Sequence, residues 1–128
     1  MESFAGYSFC KAHSASYAVL SFQEAYLKAH YPALFLCSVL NNQGGYYRPE
    51  VYIQEARRLG IHILLPSVNA SDELHFCPDD RSIQLGFLHV RGLSDRSRTA
   101  LLRERREVGK YSGFTDFLAR SGVTQDDM

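Results

Sequence analysis

Two groups of residues in this chain have the types and spacing to do chemistry. The first is Lys11, His13 and Tyr17, at the head of a run of small residues that reads as a helix. A lysine and a histidine beside a helix N-terminus put positive charge and donors where the backbone already favours an anion, so the chemistry would be phosphate binding. Tyr17 lies one helical turn beyond His13, so both can face one site. The plainer alternative is a surface lysine, a helix-capping histidine and a core tyrosine. The second group is Gly92-Leu93-Ser94 with Arg96 and Arg98. Apolar residues, a Gly-apolar-Gly-like turn and a following helix read as a helix-hairpin-helix. Such a hairpin exposes backbone N–H groups at a helix N-terminus and binds a DNA phosphate without reading sequence. Ser94 stands at the second glycine position and can cap the helix. Asp95 would repel phosphate, and Arg96 and Arg98 would offset it. The alternative is a hairpin that serves packing alone. A third arrangement, Cys10 or Ser14 as a nucleophile with His13 as base, lacks an acidic partner and an oxyanion signature, and adjacent residues do not generally meet in the required geometry.

Several elements must position these groups. A helix capped by Ser14 should run to about Tyr31. Tyr17, Leu20, Glu24, Leu27 and Tyr31 lie on one of its stripes and Ala18, Phe22, Ala25 and Ala29 on another, a pattern that predicts burial between neighbours. Pro32 fits the first position of a second helix ending near Leu40. That helix is apolar almost all round and needs cover, from a larger parent or from a homo-oligomer. Residues 41–45 (Asn-Asn-Gln-Gly-Gly) are a loop. Pro49 opens a third helix to about Leu59, with Gly60 as its stop. Short strands are expected at Ile61–Leu65, Leu74–Cys77 and Ser82–Leu85, the last two joined by a turn. A short helix at Phe87–Val90, the hairpin, a helix from Asp95 to about Glu107 stopped by Gly109, and a last helix at about Ser112–Arg120 burying Phe114, Phe117 and Leu118 complete the chain. The tail from Gly122 should fray. The fold class is mostly α with a short β element (α+β), divided at the glycine loop into residues 1–45, helical, and 46–128, a small helix-hairpin-helix module with short strands.

Composition bounds the function. With 128 residues, 45% of them apolar, the chain can bury a core. Its formal net charge is zero, so no global field draws it to nucleic acid or membrane. The charge is uneven, however: seven basic residues between Arg91 and Lys110 stand against Asp95, Glu104 and Glu107. A local basic patch points to an anionic partner, or to a solvated face laced with Arg–Glu pairs. Cys10, Cys37 and Cys77 are odd in number and widely spaced, which suggests neither a disulfide framework nor a zinc site, but reduced thiols in the cytoplasm. Tyr31 to Leu40 is too short a greasy run to span a bilayer, and the N-terminus does not read as a signal peptide. Asn69-Ala70-Ser71 fits a glycosylation sequon, read here as a chance match.

Three stretches, in order, resemble the bacterial family C DNA polymerases, the polymerase III alpha subunits. Phe4, Tyr7, Phe9, Cys10, Lys11, Ala12, His13, Tyr17 and Ala18 match the end of that family's fingers, with Cys10 where many members carry asparagine and Ala12 where many carry serine. Residues 41–61, with Gln43-Gly44-Gly45-Tyr46-Tyr47 and Glu55-Ala56-Arg57-Arg58-Leu59-Gly60-Ile61, and then Pro66-Ser67-Val68-Asn69-Ala70-Ser71, match the region just after the fingers. The first of these forms is similar to branches that include error-prone relatives. The third stretch is the hairpin.

The resemblance implies a segment of a DNA-directed DNA polymerase, a nucleotidyltransferase. Lys11 and His13 would help hold the phosphates of an incoming deoxynucleoside triphosphate, and Tyr17 would line or buttress the pocket. Gly92, Ser94, Arg96 and Arg98 would hold the backbone of a DNA primer–template. Metal-dependent nucleotidyl transfer needs carboxylates that hold two metal ions. In this family those are palm aspartates upstream of the fingers, so Mg2+ is expected for the parent and none for this segment, which by itself should be inactive. Neither the Asp79-Asp80 turn nor Asp126-Asp127 in the tail reads as a substitute. Other replisome subunits are candidate partners, and no membrane is. A stand-alone helix-hairpin-helix nucleic-acid-binding module with no enzymatic role is the competing reading; it requires residues 46–128 to fold and bind alone.

Overall fold

The computed structural model describes residues 11–43 and 45–123. Phe4 to Cys10, Gly44 and the tail with Asp126 and Asp127 lie outside the described residues, so the aromatic part of the first motif, the Cys10 reading and the fraying tail do too. The order is α1 (Lys11–His30), α2 (Pro32–Asn41), α3 (Pro49–Arg58), β1 (His62–Leu64), β2 (Phe76–Asp79), β3 (Ser82–Gln84), a 3-10 turn (Phe87–His89), α4 (Asp95–Val108) and α5 (Phe114–Arg120).

Local signals account for most boundaries. Pro32 and Pro49 occupy the first turns of α2 and α3, where a missing N–H costs no hydrogen bond. Gly60, at φ +76°, ends α3 in a conformation that disfavours a side chain. Ser14 is not a cap: α1 already includes Lys11 and Ala12, both good helix formers. The three strands form one sheet in the order β1-β3-β2. β1 runs parallel to β3 with Ile63 opposite Ile83, and β2 runs antiparallel to β3 with Phe76 opposite Gln84.

Two apolar clusters make the core. Ala33, Leu36 and Cys37 of α2 pack on Ala56, Ile61 and Ile83, so α2, α3 and the sheet share one interior. This cluster draws on residues from both sides of the 41–45 loop. Burying side chains such as Leu36 and Ile83 contributes about 1.5–3 kcal/mol each. The second cluster joins Phe87 of the 3-10 turn, Leu101 and Leu102 of α4, and Tyr111, with Val68, Leu93 and Phe117 against it. Phe114, expected inside, is 72% exposed, and Leu118 is also exposed; of the three apolar residues expected in α5, Phe117 is the one packed on the core. A helix of seven residues that docks through Phe117 presents too little surface to bury all three. α1 is exposed along its whole length, with Phe22 at 79%. It continues into α2, and Lys28 reaches Glu55 of α3 at 3.2 Å. The described residues do not provide the neighbours that its two apolar stripes led one to expect.

Candidate nucleic-acid interface

The segment 67–75 bonds to the 3-10 turn, to α4 and to Tyr111 after α4. Phe87 and Leu88 at the 3-10 turn donate their N–H groups to the carbonyls of Asp72 and Glu73, both at 2.9 Å. The guanidinium of Arg105 on α4 donates to the carbonyls of Ser71 (2.5 Å) and Val68 (3.1 Å) and pairs with Asp72 at 2.7 Å. The Asn69 amide donates to the Tyr111 carbonyl and accepts from the Tyr111 N–H, both at 2.8 Å. Fully buried Ser71 accepts from the Ser67 N–H and from the Gln84 amide, each at 2.9 Å, so this polar group meets its partners inside the core. The Pro-x-Val-Asn-x-Ser motif is thus a structural clasp. The Asn69 side chain that matched a sequon is committed to Tyr111.

A second clasp lies at the other end of that segment. Asn41 at the end of α2 exchanges two hydrogen bonds with the backbone of His75, at 2.7 and 2.8 Å. His75 accepts from the Gly86 N–H at 2.8 Å and stacks on His89 with ring centroids 4.9 Å apart. Burial, and then the neighbouring His89, push the His75 imidazole below its usual range. In the α2–sheet core, burial pushes the Cys37 thiol up to about 12, with Cys77 adding to the effect. Both are free thiols, and neither is poised as a nucleophile.

At the tip, Leu93 is tucked against the second core cluster while Gly92 and Ser94 stay in solvent. Gly92 takes φ +82°, a left-handed turn that suits glycine. Ser94 caps α4: its Oγ accepts from the Ser97 N–H at 3.2 Å. The helix itself does not use the N–H groups of Asp95 and Arg96 in its first turn.

The arginines of α4 divide by helical angle. Arg96, Arg103 and Arg106 are exposed, whereas Arg98 and Arg105 turn inward. The Arg98 side chain is 10% exposed and bonds Glu73 at 3.2 Å and Asp95 at 3.0 Å. Arg98 thus braces α4 against the 67–75 segment. Its position two residues from Arg96 sends it to the buried side of the helix. The basic window holds Arg103 and Arg106 without singling them out; their spacing of seven and ten residues from Arg96 is the signal that places them on the same face.

Lys11, His13 and Tyr17 all lie on exposed α1. The His13 and Tyr17 rings meet edge to face at 4.5 Å, one turn apart. His13 and Ser14 are about 100° apart around the helix axis, a poor disposition for base and nucleophile. Among the described residues no group of three or more His, Cys, Asp or Glu could hold a metal ion, and no helix is long and apolar enough to cross a membrane.

Comparison with known proteins agrees with this architecture. Over 120 residues the chain is 39% identical to a DNA polymerase III subunit alpha of Saccharopolyspora erythraea, covering 92% of this chain and 10% of that protein. It is 38% identical over 121 residues to the DNA polymerase III subunit alpha of Thermus aquaticus, covering 94% and 10%. It is 35% identical over 129 residues to an error-prone DNA polymerase of Dechloromonas aromatica, covering 100% and 13%. The chain spans about a tenth of the length of the curated relatives it matches. A family model described as a helix-hairpin-helix motif matches residues 60–128, the stretch that runs from the end of α3 through the sheet, the hairpin and α5. By that match and by the hairpin geometry, the chain belongs to the helix-hairpin-helix motif family.

Proposed function

We propose that this chain is the part of a bacterial family C DNA polymerase that links the end of the fingers to a helix-hairpin-helix module. In this reading the module grips the primer–template duplex by its phosphate backbone during DNA-directed DNA synthesis. The observation that carries it is the hairpin tip. Leu93 anchors the turn while Gly92, Ser94 and Arg96 face solvent at the start of a 14-residue helix. A phosphate oxygen meets the N–H groups of Asp95 and Arg96, the positive end of the helix dipole and the Arg96 guanidinium. The Asp95 carboxylate, which would repel it, is partly neutralised by Arg98 at 3.0 Å.

On the same reading Lys11, His13 and Tyr17 stand near the incoming deoxynucleoside triphosphate in the parent, and the apolar flank of α1 is covered there by neighbouring parts. On this reading the Mg2+ of nucleotidyl transfer would be held by carboxylates elsewhere in the parent. No catalytic step is assigned to this chain, which by itself should not polymerise DNA. Autonomous folding of residues 46–128, which the competing stand-alone reading requires, is disfavoured because it would strip Ala33, Leu36 and Cys37 from the first cluster.

The test is binding of the chain to a labelled primer–template duplex across a salt series. Sequence-independent binding that weakens steeply with salt is expected. Arg96→Gln should make the slope of log K against log salt about 0.9 shallower. Arg98→Gln should lower stability and leave the slope alone. Absence of binding at about 50 mM salt, or an unchanged slope in Arg96→Gln, would remove the hairpin as the point of contact.

A further inference from the structure

We infer that the outer face of α4 is a phosphate track that extends the duplex contact beyond the hairpin, with Arg103 and Arg106 as its charges; this rests on the functional reading above. Arg96, Thr99, Arg103 and Arg106 recur at intervals of three, four and three residues, which places them on one side of the helix. Arg96, Arg103 and Arg106 reach solvent along it. The opposite side holds Ser97, Arg98, Leu101 and Arg105, where both arginines are engaged by Glu73, Asp95, Asp72 and backbone carbonyls. Among the described residues, Arg96, Arg103 and Arg106 make no ion pair, so the α4 arginines left for a partner are those aligned with the hairpin.

The spacing suits a phosphodiester backbone. At 1.5 Å per residue, Arg96 and Arg106 are separated by about 15 Å along the helix. Phosphates of one strand rise about 3.4 Å per nucleotide along the duplex axis while winding around it, so a face about 15 Å long can meet more than one phosphate. Guanidinium groups bind phosphate oxygens in a forked geometry, and the Thr99 hydroxyl between them can donate one more bond. Glu107 lies at the edge of the same face and weakens the track without closing it. The contact is to backbone alone, so it carries no base preference.

The experiment extends the salt series to Arg103→Gln/Arg106→Gln, with Arg48→Gln/Arg57→Gln on the α3 side as a control of equal charge loss. Both pairs are exposed, and unfolding midpoints equal to that of the wild type check that the fold is kept. The double change on α4 should make the salt slope shallower by about 1.8, two contacts at 0.9 each, and weaken binding at least tenfold at about 0.15 M salt for duplexes of any sequence. The control pair should leave the slope unchanged. Glu107→Gln should tighten binding. If the α4 double change leaves the slope intact while Arg96→Gln reduces it, the hairpin reading stands and the track is wrong. If the control pair lowers the slope equally, net charge is responsible and the track is wrong. If the wild-type chain shows no salt-dependent binding, the functional reading falls and takes the track with it.

Discussion

Replacing Asn69 with alanine should destabilise the chain by about 2–4 kcal/mol. The Asn69 amide bridges the 67–75 segment to the Tyr111 backbone, 42 residues away, with both bonds at 2.8 Å. Each such bond contributes about 1 kcal/mol net, and an unpaired buried donor or acceptor costs roughly 1–3 kcal/mol. Tyr111 is 4% exposed, so its freed N–H and C=O would regain water poorly. Asn69 itself is only half-buried, which holds the total to the lower part of that range. For a chain of this size the loss corresponds to a fall of about 10 °C in Tm. Urea unfolding followed by tyrosine emission is the assay, since the chain has eight tyrosines and no tryptophan. The midpoint should fall by about 1–2 M with m unchanged. Asn69→Asp keeps the shape but turns a carboxylate oxygen on the Tyr111 carbonyl, and should cost at least as much at neutral pH. Asn42→Ala removes a bond to the Ser38 carbonyl at the exposed end of α2 and should stay within about 0.5 kcal/mol. A loss below about 1 kcal/mol in Asn69→Ala would refute the idea that this clasp holds the two halves of the module together.

Gly86→Ala should also be costly, because its Cβ would overlap the Leu74 carbonyl and come within 2.6 Å of the Glu73 carbonyl oxygen. Both obstacles are backbone, so relief requires the 67–75 segment to move, at about 1–3 kcal/mol or more; an unchanged urea midpoint would count against this packing. His75 makes stability depend on pH. Its folded pKa is depressed, so the unfolded chain takes up a proton first, and stability should decline as pH falls below about 6.5 and level off below the folded value. Glu55 and Asp116, held below the usual carboxylate range by Arg58 and Lys28 and by Ser112 and Arg120, act only at lower pH. His75→Phe should flatten the profile between pH 7 and 5; an equal slope in that variant and the wild type would assign the effect to another group.

Much of the secondary structure was legible because its causes are local. Pro32 and Pro49 open helices, Gly60 and Gly109 stop them at positive φ, and the Gly92 turn ahead of a serine cap announces the hairpin. The same short-range chemistry identified the family resemblance, since its motifs are contiguous. What was not legible has one source. Whether Phe114 is buried, which neighbours α2 packs on, and which partners Arg98 meets all depend on what arrives from elsewhere in the chain. Phe114 was expected inside with Phe117 and Leu118, but α5 docks through Phe117 and leaves Phe114 in solvent.

Local chemistry sets the elements, the hairpin and the basic window, because steric limits on φ and ψ, capping and charge act over a few residues. Long-range packing sorts the arginines of that window into those that brace the fold and those that remain for a partner. It also made Asn41, Asn69, His75 and Arg105, whose local patterns assign them no partner, the clasps of the module. Each of those side chains bonds backbone 34 to 42 residues away or, in the case of His75, the amide of Gly86 on the far side of β3. Such a bond forms only after the apolar clusters have brought the segments together, and no local pattern records it.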